Sequence, residues 1–508
     1  MNDRVRPGAS RCMLIGDGIR AAAARTPDKI AMIEGDRRLT YRALVERIDR
    51  VSNLAHAGLR LRHGDFASIL SPNRLEYIEL VCGLSSAGLA VSTIGPAAPP
   101  AEIKFICEDS RARVLFVAPE LEAAARAAAP ACVERFIVLG PEYEALLAKS
   151  SSAPCPVQVN ELDIFSVPYT SGATGRPKGV MLAHRGRVLS MFVMAVEQQC
   201  YGPSDRAVAT TPMFHGAGFL MALVPIFFGG QVEILPRFDI ERLLGAISAL
   251  QATSAYMVPT HFAAMLEMGS KVERFNLRSL KAVISGTAPL AQAMKAKIIP
   301  LIGEGKLFER YGTTETSIAT ALRPEDQLRK IACVGQALPL THLRVLDDGG
   351  NELPQGEVGE LAVSSPYLFS GYLNLPEQTA KVTRGDWVVT GDLARFDEEG
   401  YVYLVDRKND MIISGGENVY PREVEEVLLA QPAVAECGVA GVPHPYWGEQ
   451  VTAFVVLRPG MNASAEDLMA ACREKLSRYK VPKEIKFLDK LPRNTMGKVL
   501  RRALREIR

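Results

Sequence analysis

Hydrophobic positions fall into alternating helical and strand-like segments along most of this chain. Residues 40–59 and 74–88 carry apolar side chains at helical spacing, and Asp239 precedes a third such segment as a predicted helix cap. Between these segments, residues 66–70 and 254–258 form short apolar runs that predict buried strands. Strands that alternate with helices of this length form parallel sheets covered on both faces, so the pattern predicts an α/β protein.

The pattern changes near residue 345, where glycine- and aspartate-rich turns separate short strands. These turns predict a β-rich subdomain at about residues 340–406. The polar run 406–410 then lies between two apolar strands and predicts a hinge, and Pro421 begins a helix in a compact α+β unit. We therefore expect a large N-terminal domain with mostly parallel sheets at residues 1–408 and a small mobile C-terminal domain at residues 409–508.

Composition and charge argue against several classes of protein. A chain of 508 residues is too long for one hydrophobic core, and a net charge of +2 argues against a nucleic-acid partner. The longest apolar run, residues 219–228, falls short of the roughly 20 residues of a transmembrane helix, so none is expected. The nine cysteines are scattered singly, which fits a reducing compartment, and no secretory signal is evident. We expect a cytoplasmic protein.

The most informative segment is Tyr-Thr-Ser-Gly-Ala-Thr-Gly-Arg-Pro-Lys-Gly at residues 169–179, directly after an apolar strand. Glycines allow backbone N–H groups to approach a ligand closely, and successive N–H groups form a concave anion site. Hydroxyl side chains and two cations add donors and positive charge. The segment is not a Walker A loop, because Lys178 lies between proline and glycine. It predicts a cradle for a polyphosphate.

Three further clusters carry chemistry. Glu315 follows a strand in a hydroxyl-rich turn and can hold Mg²⁺, while Tyr311 can stack on a base. Asp392, at the end of another strand, can accept hydrogen bonds from ribose hydroxyls, although a turn aspartate also caps its own backbone. Lys498 lies on a glycine turn, where a lysine is often only a solvated surface residue.

Six motifs occur in one order: the 169–179 segment, Tyr-Gly-x-Thr-Glu, Thr-Gly-Asp, Asp-Arg-Lys-x-Asp-Met-Ile, Gly-Gly-Glu-Asn and a terminal Gly-Lys. This set resembles the adenylate-forming superfamily, which includes acyl- and aryl-CoA synthetases, over roughly residues 15–505. The resemblance implies two half-reactions. A carboxylate attacks the α-phosphate of ATP to give an acyl-adenylate and pyrophosphate, and a thiol then displaces AMP. ATP, Mg²⁺, coenzyme A and a small-molecule carboxylic acid are the implied ligands.

The resemblance also implies roles for individual residues. Lys498, Glu315, Thr170 and His215 are the implied catalytic residues, with Glu315 binding the metal. Lys498 bridges the attacking carboxylate and the α-phosphate, a role suited to a compact cation where charge gathers in the transition state. The implied ATP- and AMP-binding residues are Thr170, Ser171, Gly172, Thr174, Gly175, Lys178, Gly286, Thr287, Ala288, Tyr311, Gly312, Thr313, Thr314, Asp392, Arg407 and Lys498.

Pocket, coenzyme A and hinge residues follow from the same resemblance. The acyl pocket is expected at His215, Gly216, Ala217, Phe219, Tyr256, Met257 and Gly286. These residues are mostly small or apolar and no second basic group is obvious among them, so we expect an acid with an uncharged tail. The implied coenzyme A contacts are Gly415, Gly416, Trp447 and Lys483. The pivot, usually Asp or Lys in the family, is Asn409 here, which tolerates unusual backbone angles.

A CoA ligase is the leading interpretation, because residues 413–421 are most similar to those of fatty-acyl and aryl-acid CoA ligases. An enzyme that loads a free-standing carrier protein is the alternative. A nucleotide sensor without turnover is disfavoured, because the implied catalytic lysine and metal-binding glutamate are both present. The acid itself is open between an aryl and an alkyl class, and a homodimer is left open.

Overall fold

The computed structural model describes residues 13–171, 176–408, 410–493 and 499–507, with only the backbone at 171. The chain forms two compact units. The first comprises Met1–His342 and Ser364–Val388, and the second comprises Leu343–Val363 and Val389–Arg508. The β-rich segment at 343–363 and 389–407 therefore groups with the C-terminal residues. The predicted boundary between residues 408 and 409 stays a prediction about the domains.

Helices of the described residues begin and end as follows: α1 (Asp17–Arg25), α2 (Tyr41–Asn53), α3 (Leu75–Ser86), α4 (Pro100–Ser110), α5 (Glu122–Ala128), α6 (Pro141–Lys149), α7 (His184–Gln198), α8 (Gly216–Phe227), α9 (Ile240–Leu250), α10 (Pro259–Glu267), α11 (Gln292–Ile302), α12 (Pro376–Val382), α13 (Pro421–Leu429), α14 (Ala465–Lys475) and α15 (Arg501–Arg505).

Strands of the described residues are β1 (Ile30–Glu34), β2 (Arg37–Thr40), β3 (Phe66–Leu70), β4 (Ala90–Ile94), β5 (Ala112–Val117), β6 (Arg135–Val138), β7 (Ile164–Ser171), β8 (Pro177–Gly179), β9 (Leu182–Ala183), β10 (Arg206–Ala209), β11 (Gln231–Ile234), β12 (Ser254–Met257), β13 (Ala282–Ser285), β14 (Leu307–Tyr311), β15 (Thr320–Leu322), β16 (Gln336–Ala337), β17 (His342–Leu346), β18 (Gly359–Ser364), β19 (Thr383–Arg384), β20 (Trp387–Phe396), β21 (Val402–Arg407), β22 (Ile412–Ser414), β23 (Glu417–Val419), β24 (Val434–His444), β25 (Gly448–Leu457) and β26 (Glu484–Phe487).

Two sheets dominate the first unit, and both have parallel centres. One sheet runs β16-β15-β14-β13-β12-β10-β11-β1-β2, and the other runs β6-β5-β3-β4-β7-β8 with β9 beside β7. Strands β10 to β14 pair in parallel, and so do β3 to β7. Parallel strands place their carboxyl ends at one edge, where ligands of α/β proteins bind. The α/β class with mostly parallel sheets is confirmed.

Local chemistry explains why these elements form where they do. The Thr40 and Asp239 side chains accept hydrogen bonds from the backbone N–H of the third helical residue and cap α2 and α9. Helix α3 is buried along nearly its whole length. It packs on α2 through Gly83, where a Cβ atom would lie 2.5 Å from the Val51 side chain. The first unit thus gains a close helix contact that only glycine permits.

The second unit has the β-rich and α+β character that the sequence predicts. Strands β17, β18, β20 and β21 are joined in one sheet, and β23-β22-β25-β24 with β26 form another. Helices α13 and α14 contribute Val424, Leu428, Leu468 and Cys472 to a core beneath this second sheet. Among the described residues, no helix combines the length and apolar character needed to cross a membrane.

Candidate active site

A pair of antiparallel strands forms the arms of the predicted phosphate cradle, called the phosphate hairpin below. Strands β7 and β8 are antiparallel, so Thr170 lies opposite Lys178 and Tyr169 lies opposite Gly179. The Tyr169 hydroxyl donates to Asp109 Oδ2 at 2.7 Å and fixes the first arm to α4. The loop residues Gly172, Thr174 and Gly175 lie outside the described residues, as does the side chain of Ser171. The hairpin places the hydroxyl of one arm beside the cation of the other.

Tyr372 joins this hairpin to the predicted metal-binding residue. Its hydroxyl donates to Glu315 Oε1 at 2.7 Å, and the Lys178 ammonium lies 5.0 Å from its ring centroid. Its backbone also forms a bridge with Val180, just beyond β8. Burial, and then the neighbouring Glu315 carboxylate, raise the pKa of the Tyr372 hydroxyl, so it stays protonated and remains a donor. The structure therefore brings Lys178 and Glu315 together around one aromatic ring.

Two loops at the carboxyl edge of the larger sheet hold the predicted nucleotide residues. Gly286, Thr287 and Ala288 follow β13, while Tyr311 ends the neighbouring strand β14 and Gly312 follows it. Gly312 must be glycine, because a Cβ atom there would lie 1.8 Å from the carbonyl oxygen of Ser317. In the next turn, the Thr313 and Thr316 hydroxyls each accept a hydrogen bond from the other residue's backbone N–H. This turn orients Thr314 and Glu315.

A buried ion pair supports the strand that leads to this turn. Lys295 of α11 pairs with Glu309 of β14, and both side chains are nearly inaccessible to solvent. Such a pair fixes position, because removing one partner leaves an uncompensated buried charge. The pair holds β14 in the register that brings Tyr311 to the edge of the sheet.

The predicted acyl pocket residues lie in two places. Tyr256 and Met257 end β12, and the Tyr256 hydroxyl lies 2.7 Å from where a Cβ atom of Gly286 would be. His215, Gly216, Ala217 and Phe219 form the start of α8. Burial lowers the pKa of His215 to about 4, so its imidazole is neutral at physiological pH.

Two arginines border these pocket residues, and the sequence analysis missed both. Arg187 of α7 is only 7% exposed, and its Nη2 lies 3.5 Å from where a Cβ atom of Gly216 would be. Arg310 of β14 lies with its Cζ 5.5 Å from the ring centroid of Tyr256. The expectation that no second basic group is near the pocket is therefore wrong. Arg187 is 29 residues from Gly216 in the sequence, so only the packing of α7 against α8 reveals the contact.

In the second unit, the predicted ribose residues form an ion pair. Asp392 of β20 and Arg407 of β21 are cross-strand partners, and Arg407 Nε lies 2.6 Å from Asp392 Oδ1. The Asp392 backbone N–H donates to Thr390 Oγ1, and that hydroxyl donates to the Leu361 carbonyl oxygen. These bonds fix the backbone at Asp392, which lies within β20 and not at the end of a strand as predicted, because the strand continues beyond Gly391 in pairing with β21.

The predicted coenzyme A residues also converge. Gly415 and Gly416, both with positive φ, form a two-residue turn between β22 and β23. The backbone N–H of Gly415 donates to the Trp447 carbonyl oxygen at 2.8 Å, and the Lys483 ammonium lies 5.3 Å from the Trp447 ring centroid. A glycine turn, an indole face and an exposed cation thus share one surface of the second unit.

Two further predicted residues lie outside the described part of the chain. Asn409, the predicted pivot, and Lys498, the predicted catalytic lysine, lie outside the described residues. On either side of Asn409, Asp406 and Asp410 contact Arg501, which also donates twice to Glu425 of α13. Residues on both sides of the predicted hinge are therefore tied to the half-buried guanidinium of Arg501.

The residues of the site fit the usual way in which proteins bind Mg²⁺. Among the described residues, no group of three or more acidic, histidine or cysteine side chains is arranged around a metal position. Mg²⁺ nevertheless binds commonly through one or two carboxylates, substrate phosphates and water. Glu315 supplies one carboxylate beside the phosphate hairpin, with one oxygen oriented by Tyr372.

Comparisons with family models and with known proteins agree on one family. The chain matches the AMP-binding enzyme family over residues 19–373 and the AMP-binding enzyme C-terminal domain over residues 423–498. It is similar to a feruloyl-CoA synthase from Amycolatopsis sp, with 34% identity over 95% of this chain and 96% of that protein.

Solved structures agree over nearly the whole chain. ATP-bound MatB from Rhodopseudomonas palustris superimposes with a TM-score of 0.89 and 31% identity, covering 97% of this chain and 99% of that one. The o-succinylbenzoate CoA synthetase (MenE) from Bacillus subtilis, in complex with its acyl-adenylate intermediate, gives a TM-score of 0.86 and 30% identity, covering 97% and 98%.

Proposed function

The chain belongs to the AMP-binding enzyme family, in its acyl- and aryl-CoA synthetase group, and we propose a specific division of labour among its residues. It is an ATP-dependent acid–CoA ligase. It joins a carboxylic acid to AMP with release of pyrophosphate, and then transfers the acyl group to coenzyme A with release of AMP. The proposals below concern which side chains perform each step.

The first step is assigned to the hairpin and to the turn that Tyr372 connects to it. Thr170 and Lys178 bind the triphosphate, Thr314 contacts the α-phosphate, and Glu315 binds Mg²⁺, which screens charge on the phosphates when bound. The convergence of Lys178 and Glu315 on Tyr372 is the observation that carries this assignment. Gly286, Thr287, Ala288 and Tyr311 hold the adenine, and Asp392 and Arg407 hold the ribose.

Lys498 completes the first step in this proposal. An in-line attack by one anion on another needs a cation where negative charge gathers in the transition state. The family resemblance supplies this assignment. Rotation of a mobile C-terminal domain about Asn409 would then remove Lys498 and allow the thiol to reach the acyl carbon.

The second step is assigned to the glycine turn of the second unit. Gly415 and Gly416 line the path of the pantetheine arm, and Trp447 and Lys483 contact coenzyme A. The support is that Gly415, Trp447 and Lys483 share one surface, and that the lysine there is a cation of the kind that binds phosphates. A free-standing carrier protein is the alternative acceptor, because its phosphopantetheine arm offers the same thiol.

The acid is an open part of the proposal. Similar proteins include ligases for 2-succinylbenzoate and for long-chain fatty acids as well as the feruloyl-CoA synthase. The pocket residues His215, Ala217, Phe219, Tyr256 and Met257 accept an aryl or an alkyl acid. A cytoplasmic location and a homodimer complete the proposal, the latter tested by light scattering of the purified chain.

The decisive experiment measures pyrophosphate release from Mg-ATP with a broad panel of aryl and alkyl acids. We expect release with at least one acid class, followed by thioester formation when free coenzyme A is added. Release with no thioester on free coenzyme A, but loading of a phosphopantetheinylated carrier protein, would favour the carrier alternative. Absence of release with every acid would contradict the proposed assignment of adenylation.

A further inference from the structure

A buried cation without an acidic partner lies beside the proposed acyl pocket. Arg187 is more than nine-tenths buried, and no described carboxylate forms an ion pair with it. Its Nε has no hydrogen-bond partner among the described residues. Burial alone lowers the pKa of its guanidinium to about 10, so it keeps its charge at neutral pH. Proteins rarely bury a charge without a partner, because the desolvation cost is large.

Other groups close to Arg187 can donate hydrogen bonds as well. Helix α8 begins at Gly216, and no side chain caps its first turn, so its amide groups and dipole present positive charge there. Arg187 Nη2 lies 3.5 Å from where a Cβ atom of Gly216 would be. A residue larger than glycine at position 216 would fill the space beside the guanidinium. The Nε2 of His215 also has no partner among the described residues. A guanidinium, a helix N-terminus and a neutral imidazole together match an anion.

These groups line one cavity. The other residues that line it indicate which end of the substrate it would bind. The liners include Arg187, Thr93, Tyr77 and three proposed acyl pocket residues, His215, Gly216 and Phe219. None of the proposed ATP-binding residues is among them. The reacting carboxylate must meet the α-phosphate, so an anion bound here belongs to the other end of the acid.

We propose that Arg187, the N-terminus of α8 and His215 bind a second carboxylate of the substrate, so that the enzyme prefers dicarboxylic acids to monoacids. This inference rests on the proposed function, because it names the class of acid at the same pocket. The cavity has room for about one water molecule as it stands, so a side chain must move when the carboxylate enters. Half-buried Phe214, whose ring lies against His215, is placed to do so.

Two measurements test the proposal with dicarboxylic acids, linear and aromatic, each paired with its own monomethyl ester. The first is the melting temperature of the protein with each compound alone, without ATP. The second is kcat/KM for pyrophosphate release. The variants are Arg187→Met, Arg187→Lys and Arg185→Met, the last an exposed arginine of the same helix that pairs with Glu161.

For the wild type, we expect at least one diacid to raise the melting temperature and its ester not to do so. Arg187→Met should abolish that shift and lower kcat/KM for the diacid by roughly 10²-fold or more, with the ester changed by only a few-fold. Arg187→Lys should give a melting shift and a kcat/KM between those of the wild type and Arg187→Met, because lysine keeps the charge but lacks the planar guanidinium. Arg185→Met should behave as the wild type.

The unliganded melting temperature separates a binding role from a structural one. Removal of an unpaired buried charge should leave Arg187→Met at least as stable as the wild type. A lower melting temperature, or equal losses for diacids and esters, would overturn the proposal. A wild type with a higher kcat/KM for every ester than for the matching diacid would also overturn the proposal. If no acid released pyrophosphate, the proposed function would fail, but the melting shift with diacids alone would still decide whether the anion site exists.

Discussion

At the scale of single residues, Tyr372 has the clearest consequence for function. Its hydroxyl orients Glu315, while its ring faces the Lys178 ammonium. Hydrogen-bond partners of metal-binding carboxylates typically change metal affinity by 10–100-fold when they are removed. A tyrosine between Gly371 and Leu373 carries no local signal in the sequence. Its role appears only because residues 371–373 pair with the segment that follows the phosphate hairpin.

We predict that Tyr372→Phe raises the Mg²⁺ concentration for half-maximal pyrophosphate release by roughly tenfold, because it removes one bond to Glu315 and keeps the ring. Tyr372→Leu should also raise the KM for ATP, since the face opposite Lys178 is lost. The matched control is Tyr367→Phe, whose hydroxyl bonds to Thr341 and to the Pro339 carbonyl instead. Equal Mg²⁺ dependence in Tyr372→Phe and wild type would contradict the role.

Buried histidines predict a pH dependence of stability. Burial lowers the pKa values of His184, His215 and His261 to about 4 each, from an ordinary value of 6.5. Between these values the unfolded chain binds more protons than the folded one, so stability is present above pH 6.5 and is lost as the pH falls toward 4. For fully buried His184, the loss between pH 7.5 and pH 5 is about 2 kcal/mol.

His184→Gln should reduce that loss, measured as the change in urea midpoint between the two pH values. Glutamine offers an acceptor for the Ile15 backbone N–H, which now donates to His184 Nδ1 at 3.2 Å, and it does not titrate. His56→Gln alters an exposed histidine and serves as the control. An unchanged pH slope in His184→Gln would show that this histidine is not a source of the acid sensitivity.

At the scale of elements, hydrophobic periodicity predicted the α/β class and the few helices and strands that it named. The segment at 40–59 is α2 followed by one π-helical turn, 74–88 contains α3, and 254–258 contains β12. Periodicity succeeds here because each element buries one face or a whole strand in its own sheet. It fails for side chains whose partners come from another element. Lys295 reads as a surface lysine of α11, but it is 1% exposed and paired with Glu309.

That pair makes a prediction about stability. Lys295→Met should lower the free energy of unfolding by about 3–5 kcal/mol, because Glu309 is left in the interior without its cation. Urea denaturation provides the measurement. The double variant Lys295→Met, Glu309→Met should recover most of the loss, since hydrophobic replacement of a whole buried pair is often neutral. If the double variant is no more stable than the single one, charge compensation is not the function of Lys295.

At the scale of the whole molecule, ordered motifs predicted more than any single residue did. Each motif alone has a structural alternative, but their order along the chain matches one family, and the family match over residues 19–373 and 423–498 agrees. The packing of the chain then adds contacts that the order of the motifs cannot predict. Asp392 and Arg407 are 15 positions apart and become cross-strand partners, while Gly415 and Lys483 meet through Trp447. Arg187 escaped notice because a buried, unpaired arginine has no sequence signature.

The two half-reactions, one at the α-phosphorus of ATP and one at the acyl carbon, predict variants that separate them. Lys498→Ala should reduce pyrophosphate release by roughly 10²–10³-fold, because a cation that stabilises transition-state charge is lost. It should leave thioester formation from synthetic acyl-AMP and coenzyme A nearly unchanged, since Lys498 is proposed to assist only the attack on the α-phosphate. Lys490→Ala, an exposed lysine of the same region, controls for loss of charge. Conversely, Gly416→Val should impair the second step more than the first, with a melting curve to check folding at this positive φ. Loss of both steps to the same degree in Lys498→Ala would mean that the lysine serves the fold rather than the first reaction.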